Sequence, residues 1–161
     1  MPCQSRRGCR PGRDRSMGRA EVTVAKRWFR ICGAPGDDAR VLALLAAEGF
    51  AAEPEPYWEG AYALVREPAA LGSSLAAHFG LLYIQDRSSM LPPLALAPEP
   101  GATCLDLCAS PGGKTGVLAR LAGPAGFVLA NEPTRDRLAT LRMNLARTGA
   151  LNAATASFPG E

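Results

Sequence analysis

Cys104-Leu-Asp-Leu-Cys-Ala-Ser-Pro-Gly-Gly-Lys-Thr115 is the stretch on which the fold turns. A short apolar run, Thr103–Leu107, reads as a strand, two adjacent glycines mark a tight turn, and Lys114–Leu121 has helical spacing. Glycine lacks a Cβ and tolerates positive φ, so such a turn lets the backbone approach a ligand closely. The helix start beyond it offers free N–H groups and a partial positive charge. Further on come a Gly123-Pro124 turn, a strand Phe127–Asn131, a helix Arg135–Thr148 and a third strand beginning at Ala153. Strands and helices alternating at this spacing predict a parallel, Rossmann-like sheet.

Three ligand classes compete for the turn. A Walker A loop ending Gly113-Lys114-Thr115 needs its first glycine at position 108, which is Cys108. The dinucleotide fingerprint G-x-G-x-x-G is absent. A nucleoside bound without a phosphate chain remains. The second strand ends Asn131-Glu132, where an acidic side chain can hydrogen-bond the two hydroxyls of a ribose. Asp106 is read as ordering the loop, and Lys114 either as a site cation or as a surface group at the helix start.

Upstream the texture differs. Residues 1–22 are rich in Gly, Pro, Arg and Ser, and read as a disordered basic tail. Residues 23–97 read as a small α+β N-terminal module of the RNA-binding kind. Its strand lies within Val24–Cys32, its helix is capped at Gly36-Asp37-Asp38 and runs to Glu48, and a Pro54/Pro56 turn follows. Next come a strand Ala61–Val65, a helix over 70–79 and a strand Leu81–Gln85. A connecting helix over Ser88–Ala97 is begun or broken by Pro92-Pro93, and residues 98–161 form the N-terminal part of the Rossmann-like domain.

The net charge of +3 is unevenly spread: residues 1–30 hold nine Lys/Arg against two acids. A basic arm of this kind attracts nucleic acid through its phosphates, or is simply a solvated leader with Met17 as the true start. The five cysteines (Cys3, Cys9, Cys32, Cys104 and Cys108) form no paired framework and, with His78 as the only histidine, no zinc set. No apolar run of about 18 residues marks a membrane span, and no apolar leader marks secretion. The expectation is a cytoplasmic protein with reduced thiols, no metal and no membrane.

Asp106-Leu-Cys-Ala-Ser-Pro-Gly-Gly-Lys-Thr115 resembles the cofactor motif of the Nol/Nop/Sun family of RNA (cytosine-5)-methyltransferases, close to D-x-C-A-A-P-G-G-K-T. Asn131-Glu132 with Arg137, Asn144, Arg147 and Gly149 is similar to the family's second block, N-E-x4-R-x6-N-x2-R-x-G. Gly80-Leu-Leu-Tyr-Ile-Gln-Asp-Arg-Ser-Ser-Met-Leu-Pro92 looks like the lead-in segment of the bacterial ribosomal RNA branch, RsmF-like. The resemblance covers roughly residues 26–158. It implies S-adenosyl-L-methionine as cofactor, held by Cys108, Ala109, Ser110, Pro111, Gly112, Gly113, Lys114, Glu132 and Arg137. It also implies RNA as partner, ribosomal before transfer RNA.

The family's chemistry uses one cysteine thiolate to attack C6 of cytosine and a second to resolve the adduct, a form of nucleophilic catalysis. Those cysteines lie in P-C-S-G-like and T-C-like motifs, neither of which occurs in this chain, so no catalytic residue is assigned. The family's adenine-contacting Asp is replaced in context by Phe158-Pro159. The chain therefore reads as a fragment of an RNA cytosine-C5 methyltransferase, inactive alone. The alternative is a non-catalytic RNA-binding or cofactor-binding module. The first strand of such a sheet is central in the family, so here strand 103–107 becomes an edge carrying Leu105 and Leu107.

Overall fold

The computed structural model describes residues 27–33 and 36–159. The basic tail, and the last two residues beyond Pro159, lie outside the described residues.

The first unit is built as β1(Trp28–Ile31), α1(Asp38–Ala47), β2(Ala51–Pro54), β3(Ala61–Arg66), α2(Leu75–His78) and β4(Leu82–Ile84). Its strands form one antiparallel sheet in the order β2-β3-β1-β4, with Phe29 opposite Tyr62 and Arg30 opposite Tyr83. This βαββαβ succession with β1 and β3 in the middle is the ferredoxin-like arrangement. Successive residues of β1 point to opposite faces. Phe29 and Ile31 enter an apolar core with Val41, Leu45, Phe50, Leu64, Leu71 and Leu82, and Arg30 points the other way. The rings of Phe29 and Tyr62 stack with centroids 5.7 Å apart.

Three details depart from the sequence reading. The Pro-rich segment contains a fourth strand, β2, whose Ala-Ala-Glu-Pro composition has weak strand preference. Pairing to β3 imposes it, and Pro54 is tolerated because β2 is an edge. The helix expected over 70–79 is interrupted: a 3₁₀ turn at Leu71–Ser73 ends at Ser74, whose backbone is extended. The Ser74 hydroxyl then accepts from Ala77 N at 3.2 Å and starts α2. Third, α3(Arg87–Leu96) runs straight through Pro92 and Pro93. Fully buried Met90 and buried Pro93 anchor that helix, and packing against the next helix overrides the proline penalty. Asp37 stands at the N-cap position of α1 but makes no capping bond.

The second unit follows the expected alternation: β5(Thr103–Asp106), α4(Gly113–Ala122), β6(Phe127–Asn131), α5(Arg135–Arg147) and β7(Ala153–Ala156). The strands are parallel in the order β5-β6-β7. Cys104, Val128 and Ala130 face α4 and α5, where Leu118, Leu138, Leu141 and Leu145 cover them. The Rossmann-like α/β class read from the sequence is the fold observed. No described helix is long and apolar enough to cross a membrane.

The two units meet through main-chain contacts. Arg120 donates to the carbonyl of Ile31 at 2.7 Å, and Arg147 to that of Ala77 at 2.8 Å. Gly80 has φ +70°, and a Cβ there would overlap the carbonyl of Arg147.

The face of the parallel sheet turned away from α4 and α5 exposes Leu105, Leu107, Phe127 and Leu129, and β5 is its edge among the described residues. An open apolar face beside an unpaired ladder favours association. Sedimentation velocity should therefore show weight growing with protein concentration, and Leu105→Lys with Leu129→Lys should shift it towards monomer. A second prediction concerns Tyr62, whose hydroxyl donates to Asp38 Oδ2 at 2.9 Å. Burial and the adjacent carboxylate push its pKa up to about 12. The folded state then holds this proton more tightly than the unfolded chain, so stability is intact below about pH 10 and falls between 10 and 12. Phenolate absorbance in wild type and Tyr62→Phe should locate that late titration.

Candidate cofactor site

The loop between β5 and α4 is held by side chains of its own strand and helix. Asp106 Oδ2 accepts from the hydroxyl of fully buried Thr115 at 2.7 Å, and Oδ1 accepts from Cys108 N at 3.3 Å. One carboxylate thus ties both ends of the turn, the ordering role read for Asp106.

The two glycines combine the positive φ expected of such a turn, at Gly112, with close packing against the rest of the protein. Gly112 has φ +107°, and a Cβ there would stand 3.2 Å from Leu141 Cδ1. A Cβ on Gly113 would stand 2.9 Å from Gln85 Oε1. In the directions a Cβ would take, both positions meet protein atoms, so a side chain at either would press on Leu141 or Gln85. What the turn leaves to a ligand is the N-terminus of α4, which has no side-chain cap. The first N–H groups of a helix lack internal partners and suit an oxyanion such as a carboxylate.

Around that terminus the structure gathers all the residues named from the sequence. Cys108, Pro111 and Lys114 are exposed along the loop, whereas Ala109 and Ser110 are buried beneath it. Ser110 is fastened to α5: its hydroxyl donates to the carbonyl of Arg137 at 2.8 Å, and its own carbonyl accepts from Arg137 Nη2 at 3.1 Å. Glu132, at the end of β6, is 2% exposed. Its Oε1 accepts from Thr134 N at 3.0 Å, and its Oε2 lies 3.5 Å from Arg137 Nη2. Arg137 therefore braces both the loop carbonyl and the carboxylate.

Sequence reasoning missed the supporting shell. The Pro111 carbonyl accepts from the Tyr83 hydroxyl at 3.3 Å and from Asn144 Nδ2 at 2.8 Å. Asn131 donates to the Phe158 carbonyl at 3.0 Å and accepts from Phe158 N at 2.9 Å, joining the end of β6 to the segment after β7. Gln85, beside Gly113, has both amide heteroatoms buried and unpartnered. Tyr83, Gln85, Asn131 and Asn144 all stood within the quoted motif blocks, but nothing local to them signals these contacts. The sequence gives no basic partner for Cys32; in the fold, Arg30 Nη1 stands 2.9 Å from its sulfur. Burial nevertheless pushes this thiol above its ordinary value. Pro159 is exposed at the end of the described chain.

A parallel βαβαβ run whose glycine turn meets a helix start, with an acid closing the second strand, is the arrangement of a Rossmann-like domain. Residues 93–158 match the family model described as 16S rRNA methyltransferase RsmB/F. The ribosomal RNA small subunit methyltransferase F of Shewanella loihica is 39% identical over 126 residues, covering 74% of this chain and 26% of that protein. Its counterpart in Shewanella amazonensis is 38% identical over 121 residues, covering 73% and 26%. A solved methyltransferase homolog protein from Pyrococcus horikoshii superposes with TM-score 0.75 at 36% identity, over 82% of this chain and 43% of that one. NSun6 from the same organism, solved with SFG, gives 0.74 over 83% and 58%; at 15% identity it shows the fold alone. The resemblance to the Nol/Nop/Sun family, RsmB/F branch, is borne out. The chain spans about a quarter of the length of the curated relatives it matches.

The Asp106–Thr115 bond gives a direct test of the loop. Thr115→Val keeps the shape but removes the donor, and should cost about 1–2 kcal/mol in urea unfolding.

Proposed function

We propose that this chain forms the S-adenosyl-L-methionine-binding part of a cytoplasmic RNA cytosine-C5 methyltransferase that acts on ribosomal RNA. The carrying observation is the uncapped N-terminus of α4 beside the buried carboxylate of Glu132 on the next strand. The two groups suit the two ends of the cofactor. The free N–H groups answer a methionine carboxylate, and a carboxylate has lone pairs for both ribose hydroxyls. Bound there, the cofactor supplies an electrophilic methyl group on a sulfonium.

The residues have distinct tasks. Cys108, Ala109, Ser110, Pro111, Gly112, Gly113 and Lys114 shape and line the loop, Glu132 takes the ribose, and Arg137 positions both. None of the described cysteines is placed as a nucleophile. Cys108 belongs to the cofactor loop, Cys104 is buried under α4, and Cys32 lies at the junction of the units.

Calorimetry with S-adenosylmethionine and S-adenosylhomocysteine tests the reading. Wild type should bind both, and Glu132→Ala should lose at least about tenfold in affinity through the missing charged hydrogen bonds. A folded wild-type chain that binds neither ligand would leave the alternative, a non-catalytic RNA-binding module.

A further inference from the structure

Arg30 is a cation enclosed by the fold with no Asp or Glu paired to it among the described residues. It is 3% exposed, on the face of β1 turned away from the module's apolar core. Its Nη1 donates to Cys32 Sγ, its guanidinium carbon stands 5.1 Å from the centre of the Tyr83 ring, and its Nε has no partner. Against α4 it fits only because residue 116 is glycine; a Cβ there would overlap Nη2. Burial lowers its pKa; Cys32 and Tyr83 act against that shift, and the neighbouring cations Arg120 and Arg147 add to it. An enclosed charge left unmatched in this manner is costly to the fold.

The same arginine lines a cavity of about 780 Å³ at the junction of the two units. Arg120 and Arg147 line it too, and no Asp or Glu does among the described residues. Asp38 reaches Arg120 at 3.7 Å without joining the lining. Phe79 and Leu151, both largely exposed, add apolar surface to the lining. The volume is that of a small-molecule site and exceeds what a bare phosphate fills.

We propose that this cavity is a nucleotide-phosphate site, with Arg30, Arg120 and Arg147 supplying the charge and Phe79 and Leu151 the surface for a base. Guanidinium groups match phosphate oxygens in geometry as well as charge. An aromatic ring offers a base a sequence-tolerant stacking platform. Neither the loop residues 108–113 nor Glu132 line this cavity, so the site stands independently of the cofactor reading. The phosphate belongs either to an RNA strand or to a free nucleotide.

The test titrates the full chain at constant ionic strength with inorganic phosphate, uridine 5′-monophosphate, uridine and a 5′-phosphorylated RNA tetranucleotide. At least one phosphate-bearing probe should bind saturably, and uridine should not. Arg147→Met, at an exposed position and shown by circular dichroism to be folded, should weaken that binding about tenfold or more while leaving S-adenosylhomocysteine binding as in wild type. Arg30→Met should do the same wherever circular dichroism shows it folded. Tighter binding of the tetranucleotide than of the monophosphate assigns the site to RNA; equal or weaker binding assigns it to a free nucleotide. Failure of every phosphate probe to bind folded wild type, or equal binding by Arg147→Met, overturns the proposal.

Discussion

Two arginines that donate to main-chain carbonyls hold the molecule together. Arg120 reaches Ile31 and Arg147 reaches Ala77, so helices of the parallel unit grip the backbone of the antiparallel one. A ferredoxin-like module of this size buries little apolar surface and is marginal by itself. Charged donors to carbonyls, at a junction where Gly80 lets main chains touch, add what the small core lacks. Arg30, on the face of β1 opposite the module's core, lies buried at the same junction.

The parallel unit was legible because its signals are local. The Cys104–Thr115 stretch announces strand, turn and helix within a dozen residues, and Phe127–Asn131 matches its strand without adjustment. The small module was legible only in outline. Ala51–Pro54 carries no strand preference of its own and acquires its conformation from β3. Ser74 turns one expected helix into a 3₁₀ turn and a short α-helix, because a serine favours the cap over the interior. Pro92 and Pro93 mark a break by every local rule, yet packing on α4 carries the helix through them.

For the site, residue types were easier to read than their tasks. Glycine at 112 and 113 suggested a tight turn with positive φ, which Gly112 adopts, but not the packing of Leu141 and Gln85 against the two positions. Arg137 was grouped with the ligand contacts, and the fold adds a bracing task through its Nη2, which reaches both Ser110 and Glu132. Tyr83 and Asn144 lie 28 and 33 residues from the Pro111 carbonyl they support, Gln85 is as distant from Gly113, and no periodicity links such positions. Close tertiary contacts of this kind set the geometry of the loop, as supporting shells commonly do.

The shared acceptor on Pro111 has a mechanical meaning. Its carbonyl takes one hydrogen bond from Tyr83 at the end of the antiparallel sheet and another from Asn144 on α5. The turn is thus strung between two bodies, like a bridge pinned at both banks. A force that tilts the small module acts on the turn directly, without passing through the parallel strands. Strain applied at the outer sheet is delivered to the very peptide that shapes the mouth of α4.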